Sequence, residues 1–165
     1  MLIVALAALQ VTTACPVEDA VYRPRFEDED GASIEVDFVA FEYPVVPWSD
    51  AQIRVTAEPL AEPVWLTIVS GNGYSIPAAH VTQRGPRSAD EANDWMPPGA
   101  PDDTLSRTEV FTFDADYDAL PFAPMAGDAA PDHLFLPGLG PMLWYGETRI
   151  YVPPVMFDLV DCAVD

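Results

Sequence analysis

Apolar and polar residues alternate along much of the chain, with the two-residue period of a β-strand that buries one face and exposes the other. The clearest run is 51–58, in which every second residue from Ala51 to Ala57 is apolar and the residues between them are polar. Related patterns predict further strands at 34–43, 64–70, 74–81, 108–113, 146–152 and 155–160. The alternation changes phase within 34–43, which predicts a bulge near 38–40, and Pro77 predicts that 74–81 lies at a sheet edge.

Prolines and glycines limit the length of any helix. The chain has 18 prolines and nine glycines in 165 residues, so few windows can form an uninterrupted helix of a dozen residues. Roughly seven short strands separated by turns indicate an all-β domain. We expect an antiparallel β-sandwich, with an immunoglobulin-like topology as one version and a small barrel as the alternative.

One connection is long for a compact domain. Residues 84–107 are polar and rich in proline and glycine, and loops of this length often carry function. Ser88 and Glu91 have the spacing of a capping box, which predicts a short helix at 89–95. Trp95 lies on this loop, and an aromatic ring in a loop is a candidate recognition residue for a protein or glycan ligand.

The N-terminal segment has the pattern of an export signal. Leu2 to Leu9 is an apolar run, and no charged side chain precedes Glu18. This run is too short to span a bilayer as a helix but has the length of the apolar region of a signal peptide. The alternative is that 2–11 forms the first strand or helix of the mature fold.

The residues that follow this run, Thr13-Ala14-Cys15, resemble the end of a bacterial lipoprotein signal, in which small residues precede a cysteine. The resemblance implies that Cys15 is lipidated and becomes the N-terminus of the mature protein. Together with the charge and strand patterns, it predicts three regions: an export signal or N-terminal apolar segment at 1–14, an acidic linker at 15–31, and a single domain at 32–165. A lipid on Cys15 would be the chain's contact with a membrane.

The chain has only two cysteines, Cys15 and Cys162, at opposite ends of the sequence. If Cys15 carries a lipid, Cys162 is left as a lone thiol. If it does not, an oxidising compartment would permit a disulfide that closes nearly the whole domain. Two cysteines and two histidines so dispersed do not indicate a zinc site.

The balance of charge excludes some partners. Seven arginines and no lysine stand against 27 acidic residues, which gives a formal charge of −20. Phosphate backbones and anionic lipid headgroups are bound by clustered cations, and such a surface repels them. We therefore expect no nucleic-acid partner. The charge is compatible with either a protein or a glycan ligand.

Catalytic motifs are not evident in the sequence. His80 and His133 are the only imidazole bases, and neither lies near a nucleophile motif such as Gly-x-Ser-x-Gly. The run of Asp114, Asp116 and Asp118 resembles the start of a calcium loop, although Ala119 and Met125 depart from the pattern of an EF-hand. We predict that the chain is not an enzyme and needs no cofactor, with calcium at these three aspartates as the alternative.

Together these observations predict a non-catalytic, extracytoplasmic β-sandwich, secreted or envelope-associated, at the outer surface or in the periplasm of a bacterium. Its expected role is structural, adhesive or binding. One alternative is a structural component of a virion or another assembly that keeps its N-terminal segment. Another is a calcium-dependent carbohydrate-binding module.

Overall fold

The fold is built almost entirely from short strands. The computed structural model describes residues 14–25, 33–43, 50–58, 60–69, 76–86, 88, 90–91, 106–145 and 149–163. A 3₁₀ turn at Val17–Asp19 precedes the first strand, and one α-helix, α1, spans Leu139–Tyr145. The strands are β1 (Ala20–Pro24), β2 (Ile34–Ala40), β3 (Ala51–Ala57), β4 (Val64–Val69), β5 (Ala78–Thr82), β6 (Arg107–Glu109), β7 (Phe111–Phe113), β8 (His133–Phe135) and β9 (Met156–Cys162).

All nine strands belong to one antiparallel sheet with the order β6-β5-β4-β3-β2-β1-β9-β8-β7. The two strands at the ends of this order, β6 and β7, are neighbours in the chain and are separated by Val110 alone. The sheet must therefore curl until its two edges meet, which makes it nearly closed. The N–H of Val110 donates to the carbonyl oxygen of Pro77 at 2.8 Å. This bond connects the junction between β6 and β7 to the residue that precedes β5.

The inner face of the curled sheet forms the hydrophobic core. In the central strands, Phe38 lies opposite Ile53, and Ile53 lies opposite Leu66, so one row of apolar side chains runs across three strands. These three side chains are at most 1% exposed. Burial of such side chains contributes about 1.5–3 kcal/mol each, which makes this face the main source of stability. The core also includes Tyr22, Val36, Val55, Leu134, Leu139 and Phe157.

The two ends of the described chain meet at one place. A disulfide joins Cys15 to Cys162, with the Cα atoms 5.9 Å apart and 147 residues of separation in sequence. Around it, Ala20 pairs with Cys162 across β1 and β9, and the N–H of Ala163 donates to the carbonyl oxygen of Asp19 at 2.7 Å. A cross-link that closes so long a loop lowers the entropy of the unfolded chain, worth about 5 kcal/mol in the chain-entropy model.

The all-β class is confirmed, but the two separate sheets of a sandwich are not observed, because every strand belongs to the same hydrogen-bonded sheet. The ladder between β2 and β3 is regular from Ile34 to Ala40, so the bulge expected near 38–40 is absent from it. The edge position expected from Pro77 is wrong as well. Strand β5 begins after that proline and pairs with both β4 and β6.

Part of the expected linker belongs to the fold. Within 15–31, residues 20–24 form β1, which lies between β2 and β9 in the sheet. Tyr22 in this strand is fully buried, and its hydroxyl donates to the carbonyl oxygen of Pro131 at 2.9 Å. Burial, together with the charge of Asp132, raises the pKa of Tyr22 above its ordinary value. The N-terminal boundary of the domain therefore lies before β1.

Helix α1 was not expected, because Gly138, Gly140 and Pro141 look like helix breakers. Proline is tolerated in the first turn of a helix, where its missing N–H has no helical acceptor. Both glycines lie where a side chain would collide. A Cβ at Gly138 would be 2.6 Å from the carbonyl oxygen of Arg107, and one at Gly140 would be 2.3 Å from that of Val152. The buried residues Leu139, Met142 and Leu143 then pack α1 against the sheet.

Two further sequence predictions concern the strand expected at 146–152 and the helix expected at 89–95. Residues 149–152 are not a strand, although 146–152 was predicted as one, and 146–148 lie outside the described residues. In the long loop, the N–H of Glu91 donates to Ser88 Oγ at 3.2 Å, as the capping-box spacing predicts. The rest of the predicted helix lies outside the described residues. In the described ranges no helix is long and apolar enough to cross a membrane.

The assignment of faces in β3 can be tested with one substitution on each side. Ile53→Asn places an amide in the core where Ile53 is 0% exposed, and we expect a loss of about 3–5 kcal/mol in the free energy of unfolding. Thr56→Asn, on the half-buried outer face, should change it by less than about 1 kcal/mol. Urea denaturation of both variants measures the difference. Similar losses at the two positions would contradict the register.

Candidate functional site

The run of three aspartates predicted as a calcium loop is a tight turn. Asp114 Oδ1 accepts hydrogen bonds from the N–H groups of Asp116 and Asp118, at 3.0 and 2.9 Å. The carboxylate of Asp114 therefore stabilises the backbone of its own turn, a common use of aspartate. No three His, Cys, Asp or Glu side chains in the described part of the chain are grouped so that they could hold a metal ion. The structure does not bring the three carboxylates together as ligands.

The same turn presents Tyr117 to a charged cluster. Tyr117 has φ of +65°, a left-handed conformation that costs a tyrosine on the order of 1 kcal/mol. Its ring stacks on that of His133, with centroids 4.2 Å apart and planes 2° from parallel. Its hydroxyl accepts a hydrogen bond from Arg25 Nη2 at 2.6 Å. These contacts hold the turn against β8 and offset the backbone strain.

Asp158 is the centre of this cluster. Arg25 donates to both of its carboxylate oxygens, at 2.9 and 2.7 Å, and His133 Nδ1 lies 2.7 Å from Oδ1. The hydrogen bonds from Arg25 first, and then from His133, lower the pKa of Asp158 below its ordinary value. An aspartate that orients a histidine is also the arrangement of a catalytic dyad. Here one face of the imidazole is stacked on Tyr117, and both cysteines of the chain are joined in the disulfide.

A second polar group lies on the outer face of β3, β4 and β5. Gln52, Thr67 and His80 occupy one cross-strand row and are each at most 4% exposed. Gln52 Nε2 donates to Thr67 Oγ1 and Thr82 Oγ1, both at 2.9 Å, and Gln52 Oε1 accepts from the N–H of Gly85 at 2.6 Å. This amide therefore fastens the segment that follows β5 onto the outer face of the sheet.

His80 is the exception in this row. Its Nδ1 is buried and has no hydrogen-bond partner among the described residues. Arg107 lies opposite it across the pairing of β5 and β6. Burial first, and the positive charge of Arg107 second, lower the pKa of His80, because both disfavour the imidazolium. The ring is thus kept neutral next to the closing junction of the sheet.

Trp65 lies beside this row on the outer face and is half-buried. It pairs with Arg54 across β3 and β4, and the guanidinium carbons of Arg54 and Arg84 lie 6.0 and 5.5 Å from its ring centroid. Arg54 also forms an ion pair with Asp37. A small open pocket next to Trp65 is bordered by Phe41, Arg84 and Gln52. The Gln52 amide is already hydrogen-bonded, so we assign this pocket no ligand.

The largest exposed apolar side chains lie elsewhere. Trp144 and Tyr145, at the end of α1, are 46% and 71% exposed. Phe122 is 75% exposed, the highest value among the large apolar side chains of the described residues. Isolated exposed apolar residues are common, but a group of them indicates an interaction surface. Trp95, the recognition candidate from the sequence, lies outside the described residues.

Cys15, predicted to carry a lipid, is bonded to Cys162 in the structure. One sulfur atom cannot form both a disulfide and the thioether of a lipid anchor, so the two fates exclude each other. The sequence had left both open. The bridge is the alternative that the structure contains.

No protein-family model, no curated protein and no solved structure matches the chain. Functional inference therefore depends on the chain's own chemistry.

The turn at Asp114 predicts how the protein responds to calcium. Replacement of Asp114 by Ala leaves two backbone N–H groups without their acceptor, and we expect a loss of about 1–2 kcal/mol in the free energy of unfolding. Asp116→Ala, whose carboxylate accepts no bond in this turn, is the control and should change it by less than about 0.5 kcal/mol. The wild-type melting temperature should be the same in excess calcium and in chelator. A calcium-dependent rise in the wild-type melting temperature that Asp114→Ala abolishes would contradict this prediction and support a calcium site at the turn.

The environment of His80 predicts a pH dependence of stability. The pKa of His80 is lower in the folded protein than the value of 6.5 for a free imidazole, so as the pH falls through about 6.5 the unfolded chain takes up a proton before the folded chain does. The free energy of unfolding should therefore fall as the pH drops from 7 to 5, by at most about 1.4 kcal/mol per pH unit from this group.

Urea denaturation of wild type and His80→Gln across this range isolates the effect, because the carboxylates titrate in both proteins. We expect the wild-type stability to fall more steeply than that of the variant. Parallel curves would show that the imidazole is not held neutral by the fold.

Proposed function

We propose that this chain is a non-catalytic, extracytoplasmic β-domain of a bacterium, secreted or envelope-associated, with a structural, adhesive or binding role. The observation that carries the proposal is the disulfide between the first and last segments of the described fold. Structural disulfides form and persist in oxidising compartments and are rare in the bacterial cytoplasm. The apolar segment before Cys15, with the pattern of an export signal, is consistent with this location.

The acidic surface supports the same proposal. A formal charge of −20 favours solubility and repels nucleic acid and anionic lipids. The cations of the described fold are mostly engaged within it, for Arg23, Arg25, Arg54 and Arg107 each contact a carboxylate. The surface that remains is suited to partners that are neutral or positively charged.

The non-catalytic part of the proposal rests on what the reactive groups do. Both cysteines form the disulfide, so neither is a thiol nucleophile. His133 is held by Asp158 and stacked on Tyr117, and His80 is buried in the outer face. Both imidazoles have roles inside the fold, and a binding or structural function needs neither to be free.

Thiol counting and intact mass on protein from its native source test the proposal. We expect no thiol to react with an alkylating reagent until a reductant is added, and a mass that lacks the residues before Cys15 or a few residues more. A diacylglycerol on Cys15 with a free Cys162 would keep the extracytoplasmic location but replace the bridge by a lipid anchor. Two free thiols in a chain that starts at Met1 would refute the proposed compartment and favour an assembly component.

A further inference from the structure

The segment from Asp114 to Asp128 forms an exposed loop with an apolar tip, which we call the tip loop. Its eight central residues, 119–126, are all apolar or proline. Phe122 is 75% exposed, and Leu120 and Met125 are each 39% exposed. Ala123 between them is 9% exposed and packs in the core, so the loop is anchored at its centre while its larger side chains face water.

Hydrogen bonds fix this loop along its length. The N–H of Leu120 donates to the carbonyl oxygen of Thr112 at 2.9 Å, and Thr112 Oγ1 donates to that of Phe122 at 3.3 Å. On the other side of Phe122, the N–H of Met125 donates to Asp128 Oδ2 at 2.9 Å. The backbone conformation that presents Phe122 is thus already formed in the free protein.

Two acidic residues from distant parts of the chain complete the anchoring. Asp50 Oδ1 accepts from the N–H of Ala126 at 3.0 Å, and Glu18 Oε2 accepts from the N–H of Gly127 at 2.8 Å. Gly127 has φ of +84°, which glycine adopts without strain. A loop that is rigid before binding loses little entropy when it binds, and a protruding aromatic ring is a typical hot-spot residue.

Carboxylates border the apolar tip on both sides. Asp116 and Asp118 precede it, both exposed, and in the described part of the chain no cation contacts either carboxylate. Asp128 follows it. Arg25 contacts Tyr117 in this loop but is paired with Asp158. The surface is therefore an apolar centre with a negative border.

We propose that the tip loop is a docking surface for a protein partner whose apolar face is bordered by lysine and arginine side chains. This proposal rests on the binding role proposed above and names the surface that performs it. Charge complementarity selects the partner, because the border of carboxylates attracts cations at close range. A second copy of the chain, an anionic membrane and a nucleic acid all carry charge of the same sign as this border and are repelled.

A defined peptide tests the proposal with the disulfide-bonded protein. The probe is a fluorescent amphipathic helix with leucine on one face bordered by lysine, and the comparison probe has glutamate in place of every lysine. Fluorescence anisotropy at low ionic strength measures each dissociation constant. We expect the lysine peptide to bind, the glutamate peptide not to bind, and affinity to fall as salt is raised.

Two matched pairs of variants locate the site. Phe122→Ser should weaken binding of the lysine peptide about tenfold or more, and Phe122→Leu should restore most of it. Tyr151→Ser removes an aromatic ring that is 66% exposed elsewhere on the surface and should change it by less than about twofold. The double variant Asp116→Asn/Asp118→Asn should weaken binding about fivefold more than Glu58→Gln/Glu62→Gln, which removes the same charge from another turn.

Equal effects of Phe122→Ser and Tyr151→Ser, or of the two charge variants, would overturn the proposal, because binding would then reflect overall charge and hydrophobicity. Binding to anionic vesicles that depends on Phe122 would also overturn it and assign the loop to a membrane. Thermal unfolding of each variant shows that it is folded. Failure of these tests with the bridge intact refutes the docking surface alone, whereas two free thiols in a native chain that starts at Met1 refute the proposed compartment.

Discussion

The closure of the sheet through one short stretch of chain is the constraint on which the rest of the structure depends. Strands β6 and β7 are the two ends of a nine-stranded sheet and yet are one residue apart in the chain. The curl that this requires gives the sheet an inside and an outside. The apolar side of the alternating pattern becomes the core. The polar side carries the ion pairs, Trp65 and the buried side-chain amide of Gln52.

The same geometry explains why contacts distant in sequence dominate the polar clusters. Arg25, which directly follows β1, meets His133 of β8 at Asp158 because β9, which carries Asp158, lies between β1 and β8 in the sheet. The disulfide acts at this part of the sheet, since it joins the segment before β1 to the end of β9. The bridge, the Asp158 cluster and the tip loop lie on or next to β1, β9, β8 and β7, which form one half of the sheet order. The row of Gln52, Thr67 and His80 lies on β3, β4 and β5, in the other half.

The all-β class and the central strands could be predicted from the sequence because alternation is a local signal. Strand β3 begins at the predicted residue and ends one residue earlier than predicted. The run at 64–69 is apolar at every position except Thr67 and so has no such phase, and the sequence could not show that Trp65 faces outward with Arg54. Strands β1 and β8 are short and bounded by charged residues or prolines, and their pairing partners are far away in the chain. The breaker residues of α1 concealed a helix whose glycines are needed for close packing.

The candidate site could be predicted less well from the sequence, for a physical reason. The carboxylate run at 114–118 was visible, but its use was not, because a side chain that bonds its own backbone has the same sequence as one that binds a metal. The contact of Asp158 with Arg25 and His133 depends on register between distant strands, which no local pattern encodes. The exposure of Phe122 likewise follows from the burial of Ala123 beside it, which requires the tertiary structure.

A sheet that nearly closes still has two outermost strands, and both are covered. The N–H of Gly138 donates to Thr108 Oγ1 at 2.8 Å, so the start of α1 lies directly against β6. Residues 119–120 lie against β7, where Ala119 bridges Phe113 and Leu120 bonds Thr112. Exposed strand edges are the templates on which chains add to one another in fibrils, and proteins commonly block them. With these segments of its own chain against β6 and β7, less of either edge is open to strand addition by another copy.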